Sequence, residues 1–411
     1  IRDVERSRGL GDVYKRQIEK IMGIVKSILD TDLYKLSMSY VYATLFPEAE
    51  GEFTFIDRNN LEFDEDFVDQ LKQEFYATKS LALTEEEFKW CCKKIPYISE
   101  FYFEFLKSWR FDPDKIKVWL DSEKHLHITV TDKMYRATLY EVMILAIVSE
   151  LLHKRENNTI NMEEIIERLD KKIEISNQNS MKFGDMGTRR RYSFNIQDAV
   201  IKRVKEKAIY TTGTSNVYLA MKYGMTPLGT IAHEQYSFHG ALFGYKEANF
   251  LTMKNWNKVY HGYLGIALTD TFGSKIFFEN LSKDTAQLIS GVRCDSGDEF
   301  KYVGMAIARF KELGVNPLHK DIIFSNALDF PKALELQEYC KGRVGCSFGI
   351  GTNLMCDIPG VKPANIVMKL SRCRINSKRE WSKCIKISDD LGKHTGDPAE
   401  IQLCKDTLGI E

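Results

Sequence analysis

Net charge is the first thing this chain lacks. Its 58 lysines and arginines balance 58 aspartates and glutamates over 411 residues. Nothing therefore pulls phosphates to the surface at long range, which argues against a general nucleic-acid binder and against a protein of anionic membranes. Long apolar runs are missing as well. The best, Val142 to Val148, falls far short of the roughly 18 residues of a membrane span and reads as core. No Cys-x-x-Cys pair occurs among the nine cysteines, so a zinc ribbon is not indicated. Their odd number, the vicinal Cys91 and Cys92, and the length of the chain argue against a disulfide framework. Buried thiols in the reducing cytoplasm are the expectation. The first twenty-one residues hold no apolar stretch of the roughly 7–15 residues a secretory signal needs, and they carry acids that transit peptides avoid. Residues 1–21 are expected to be a non-native or disordered extension ahead of Met22.

What is present suffices for two domains, since 44% of the residues are hydrophobic and only 28% charged. Residues 22–150 read as an α+β domain. Glu52 to Ile56, Lys115 to Leu120 and His125 to Val130 alternate as strands, and helical patterns fill 62–77, 84–93 and 98–108. His125 and His127 share one strand face, a metal-ligand spacing with nothing else nearby to support it. From 151 to 370 a beat of strand, polar loop and helix recurs. Strands Leu264–Thr269, Leu288–Cys294, Ile322–Phe324 and Arg343–Phe348 run into clusters at 270, 295, 325 and 349, about 25–30 residues apart, one βα unit each. Gly213-Thr214-Ser215-Asn216 opens a helix, and Thr226 to Ile231 reads as a further strand. Such units close most readily into an α/β barrel, whose strand ends carry the chemistry; an open doubly wound sheet is the rival. Ile385 to Asp390 reads as a strand and turn of the first domain.

The clusters carry reactive groups. Gly349-Ile350-Gly351-Thr352 could cradle a phosphate on backbone N–H groups and the Thr352 hydroxyl; no third glycine follows at dinucleotide spacing. Asp270 and Asp295 lie at neighbouring strand ends and could hold Mg²⁺ through water, whereas Asp298 reads as the cap of the helix from Glu299. Arg293 could clamp a carboxylate or phosphate in bidentate fashion. Arg189-Arg190-Arg191 is the densest cationic run, either a solvated face or a neutraliser of phosphates. His233, at a strand end beside Glu234, suits a general base or a phosphoryl acceptor.

In order along the chain, Asp30-Thr31-Asp32-Leu33-Tyr34-Lys35, Gly187-Thr188-Arg189-Arg190-Arg191, Gly213 to Asn216, Gly229-Thr230-Ile231-Ala232-His233-Glu234, Arg293 with Asp295-Ser296-Gly297-Asp298, and Ser347 to Thr352 resemble the nicotinate phosphoribosyltransferase family. The resemblance implies an N-terminal domain on an irregular α/β barrel, with 371–411 returning to the first domain. It implies that nicotinate and phosphoribosyl pyrophosphate give nicotinate mononucleotide and pyrophosphate, coupled to hydrolysis of ATP with Mg²⁺, a first step of NAD salvage. By resemblance His233 becomes phosphohistidine and Glu234 orients its ring. Tyr34, Met186, Thr230 and Arg293 hold nicotinate; Arg189, Ser325, Asn326, Gly349, Gly351 and Thr352 receive the phosphoribosyl group. Met186 departs from the phenylalanine common in the family. Members are dimers in which the tyrosine serves the partner's site, so a homodimer is expected, with no nucleic acid or membrane partner. The nicotinamide enzyme is the near alternative, disfavoured because the loop after Gly213 carries no acid. A phosphosugar lyase or isomerase barrel is more remote, because no lysine stands at an expected strand end.

Overall fold

The computed structural model of this chain describes residues 23–156, 158–390 and 394–410; the extension expected at 1–21 lies outside them. Among the described residues eleven strands form two sheets. They are β1 (Glu50–Asp57), β2 (Ile116–Leu120), β3 (Leu126–Lys133), β4 (Phe183–Asp185), β5 (Thr211–Thr214), β6 (Ile266–Leu268), β7 (Gly291–Cys294), β8 (Asp321–Phe324), β9 (Gly345–Ile350), β10 (Ile366–Arg374) and β11 (Ser382–Lys383).

The first sheet is antiparallel, in the order β11-β10-β1-β3-β2. Alternation along β1 buries Phe53 and Phe55 while Glu52 and Thr54 face outward. Helices Glu65–Ala77, Glu85–Lys94 and Glu100–Ser108 start where Asp64, Thr84 and Ser99 accept backbone N–H groups, Thr84 in a capping box with Glu87. The return of the chain begins at Ile366, which pairs with Asp57, and so precedes the boundary read at 370. Helix Tyr140–Glu156 runs straight through 150, buried on nearly every side, which is why no polar linker marks that point.

The second sheet is parallel, in the order β5-β4-β9-β8-β7-β6. Its βα beat matches the spacing of the polar clusters, with local differences. Leu288 ends a helix, Lys283–Leu288, so β7 starts only at Gly291. Strand β9 continues through Gly349 and Ile350, which are therefore strand rather than loop. Thr226–Ile231 is not a strand; Pro227 alone bridges Thr214. The sheet is open, and no closed barrel of hydrogen-bonded strands exists among the described residues. The physical reason lies at β5. Proline has no N–H for a ladder. Beyond it Gly229, at φ +154°, bends so closely past helix Leu33–Leu45 that a Cβ would lie 2.7 Å from the Tyr34 nitrogen. The N-terminal segment takes the place of a strand, with Leu33 N–H donating to the Ser215 carbonyl and Val217 N–H to that of Thr31.

A fully buried ion pair fixes this insertion. Arg191 donates to Asp30 through both terminal nitrogens, at 2.7 and 3.0 Å, and Asn216 donates to the same carboxylate at 2.8 Å. Among the described residues no helix is long and apolar enough to cross a membrane. Asp30→Ala leaves the Arg191 guanidinium buried and unpaired, and should cost about 3–5 kcal/mol of stability. Chemical denaturation of the two chains measures it; a loss below about 1 kcal/mol would show that the pair does not hold the insertion.

Candidate active site

The carboxyl ends of the parallel strands and the starts of helices Leu33–Leu45, Tyr140–Glu156 and His233–Phe243 open onto one cavity of about 1020 Å³. Each helix start presents the positive end of its dipole. His233 is the first residue of its helix, preceded by Ala232, which offers no side-chain cap. Its Nε2 lies 2.8 Å from Asp270 Oδ1 and 3.6 Å from Asp295 Oδ2. Burial, then the neighbouring Lys386, push the imidazole down to about 4 against the pull of Asp270. The ring is therefore neutral at pH 7. Donation from Nε2 to Asp270 leaves Nδ1 with the lone pair.

Glu234 does not orient that ring, contrary to expectation. Successive helix residues point about 100° apart, and the Glu234 carboxylate turns away to Lys35, 2.5 Å distant. Asp270 does the orienting. It is wholly buried, and it also accepts from Ser296 at 2.6 Å and from Lys386 at 2.8 Å. Burial would raise its carboxyl, but His233 and Lys386 hold it well below the usual range.

Arg293, on β7, reaches the cavity with a buried Nε that has no hydrogen-bond partner; its Nη2 stands 3.7 Å from Asp295. An orphaned donor of this kind fits an incoming anion. Tyr34, Met186 and Thr230 line the same cavity. The Tyr34 hydroxyl donates to Glu141 at 3.0 Å, and Arg189 lies over its ring at 5.7 Å. Arg189 also approaches Asp32 and Glu141, at 3.8 and 3.6 Å. The tyrosine thus lines the cavity of its own chain. Asn326, Gly351 and Thr352 line the cavity too. Ser325 gives its proton to Asp295 at 2.5 Å. Gly349 is bare because Met186 sits on it: a Cβ there would lie 2.3 Å from the sulfur.

Arg190, from the cationic run already singled out, lines the cavity beside residues that escaped the sequence reading. Among the described residues the side chains of Arg190 and Lys369 show no ion pair or hydrogen bond, and burial lowers them, to about 10 and about 8. Arg58, on the turn after β1, lines the same wall. Lys386 belongs to Ile385–Asp390, which is no strand of the first domain but docks on the second. Ile387 N–H donates to the Thr271 carbonyl, and Asp389 accepts from Ser274. Lysines therefore do reach the cavity, from the returning end of the chain. The loop after Gly213 likewise gains an acid from elsewhere: Ser215 donates to the buried Asp32 at 2.7 Å.

Among the described residues the nearest approach to a metal site is His233, Asp270 and Asp295, whose ligand atoms lie within 4.8 Å of one another. Asp270 is a poor ligand, because three protein donors already occupy its oxygens. Asp295 fits, being partly exposed with Oδ2 facing the cavity groups. His125 and His127 both turn to Asp121, and Trp119 stacks on His127 at 5.1 Å, so the pair is engaged by its own neighbours.

Comparison with known proteins follows the same division of the chain. Residues 29–149 match the profile described as the nicotinate phosphoribosyltransferase N-terminal domain, and residues 181–411 that of the nicotinate phosphoribosyltransferase family. A nicotinate phosphoribosyltransferase from Desulforapulum autotrophicum is 39% identical over 93% of this chain and 98% of its own. The crystal structure of nicotinate phosphoribosyltransferase from Porphyromonas gingivalis superposes with a TM-score of 0.92 at 44% identity, covering 93% of this chain and 99% of that one. That from Vibrio cholerae gives 0.88 at 29% identity, covering 95% and 94%. Matched along nearly its whole described length in sequence and in fold, the chain belongs to the nicotinate phosphoribosyltransferase family.

Proposed function

We propose that this cavity joins nicotinate to phosphoribosyl pyrophosphate, giving nicotinate mononucleotide and pyrophosphate, with ATP hydrolysed through a phosphate carried on His233. The observation that carries the reading is one cavity with three features: a neutral histidine anchored by a buried aspartate, an arginine with an unpartnered nitrogen, and cations without partners. The ring nitrogen of nicotinate bonds to C1 of the ribose as the C1–oxygen bond breaks, and the electron pair leaves on pyrophosphate. Arg293 pairs with the carboxylate through Nε and a terminal nitrogen, which orients the ring. Tyr34 and Met186 offer flat and polarisable contacts to that ring. Arg189, Arg190, Lys369 and Arg58 face the phosphates, with Asn326, Gly351 and Thr352. A carboxylate substrate suits this wall better than the neutral nicotinamide.

In the ATP half-reaction, Nδ1 of His233 attacks the terminal phosphorus, the bond to ADP breaks, and water later releases phosphate from the ring. Asp270 stabilises the imidazolium character that develops. Mg²⁺ supplies charge neutralisation to the pyrophosphate when bound, and Asp295 is the residue that would hold it. The free cysteines suit the cytoplasm as the place of this reaction. The homodimer remains part of the reading, with each cavity built from one chain.

Arg293→Ala should weaken nicotinate by about 2–5 kcal/mol, read as a raised KM; an unchanged KM would remove Arg293 from the carboxylate. Incubation with γ-labelled ATP should give an acid-labile, alkali-stable label that His233→Ala lacks. Because His233 loses its lone pair only near pH 4, labelling should show no fall through pH 6.5. Label retained in His233→Ala would sink the phosphohistidine. Finally, an inactive Tyr34 variant mixed with an inactive His233 variant should recover no activity after subunit exchange. Recovery would mean that Tyr34 crosses to a partner.

A further inference from the structure

Lys35 has no exposed surface, and it follows Tyr34 on the helix Leu33–Leu45. Its ammonium lies 2.5 Å from Glu141, 2.5 Å from Glu234 and 3.3 Å from the Thr138 hydroxyl, so each of its three protons has an acceptor. Glu141 and Glu234 are each the second residue of a helix, Tyr140–Glu156 and His233–Phe243. Carboxylates are favoured there by the helix dipole, but a lysine in a first turn is not. Local helix stability therefore gives no reason for a cation at 35. Burying it costs desolvation that only two close anions offset.

The two anions lead to opposite walls of the cavity. Glu141 accepts from the Tyr34 hydroxyl and stands 3.6 Å from Arg189. Glu234 directly follows His233, and its other oxygen is buried without a partner, so Lys35 is the principal hold on that side chain. We infer that Lys35 is a positioning residue that ties the tyrosine wall to the histidine wall, setting the spacing between the substrate ring and His233. This rests on the functional reading above. Removing the ammonium leaves two buried carboxylates facing each other; one is then driven to hold a proton, and the two helix starts lose the cation they share.

The test uses amide variants that keep shape and shed charge. Glu141→Gln should raise the KM for nicotinate with kcat little changed, because it loosens the tyrosine wall. Glu234→Gln should lower kcat with that KM little changed. Lys35→Met combined with Glu234→Gln keeps the cluster's net charge, since one cation and one anion are lost together. It should fold with a cooperative melt close to native, yet show both effects, with kcat reduced roughly tenfold or more, as misplacement of reacting groups does. A folded double variant with native kcat and KM would overturn the inference, as would single amide variants that each shift kcat and KM alike. If the double variant does not fold, the split between the two single variants decides. A native chain that forms no mononucleotide from nicotinate and phosphoribosyl pyrophosphate would defeat the functional reading itself, which these ratios do not touch.

Discussion

The buried pair of Asp30 and Arg191 is the constraint on which the rest of this molecule depends. Two opposite charges taken wholly out of water are tolerated because the geometry is bidentate and Asn216 and Gln197 add further hydrogen bonds. The pair holds the start of the first domain against the edge of the second sheet. From there four side chains within six residues act along one short path: Asp30 on Arg191, Asp32 on Ser215, Tyr34 on Glu141, and Lys35 on Glu141 and Glu234. An edge that would otherwise seek a further strand is occupied by chain that brings side chains to the cavity.

Electrostatics shows the same economy of placement. The sequence is neutral overall, yet its cations are not evenly shared. Arg190 and Lys369 line the cavity without acids of their own, while Lys35 and Lys386 are fully engaged in holding acids still. The free cations draw anions in; the paired ones keep Asp270, Glu141 and Glu234 from repelling them. A neutral chain can thus turn unpaired cations toward its cavity without a basic surface.

The sequence was legible where the information is local. Alternation in β1 and β3, the helical patterns over 62–77, 84–93 and 98–108, and the spacing of the βα units all reflect contacts within a few residues. His233 was singled out by its place at an expected strand end, which proves to be a loop running into a helix, and by the resemblance of its motif. Glu234 was misjudged because adjacency along the chain says nothing about direction on a helix. Lys386, Arg58 and Lys369 were missed because they lie on a returning segment or first-sheet strands, and reach the site only through tertiary packing. Asp32 beside Ser215 and Lys386 beside Asp270 join residues 183 and 116 positions apart, beyond any periodicity. The barrel was expected to close because βα repeats usually do; Pro227 and the bend at Gly229 divert the chain at the seam.

Met186 resting on Gly349 has a consequence for how such chains diverge. The side chain at 186 and the missing one at 349 form one packing unit, since any carbon added at 349 must displace the flexible sulfur above it. A lineage is free to exchange one slender or flat side chain for another at 186 as long as the strand beneath stays bare. The bare glycine at 349 thus has a packing reason that is independent of any phosphate in front of it. Its presence in a motif is a record of what lies on top of it, and it does not by itself testify to what binds in front.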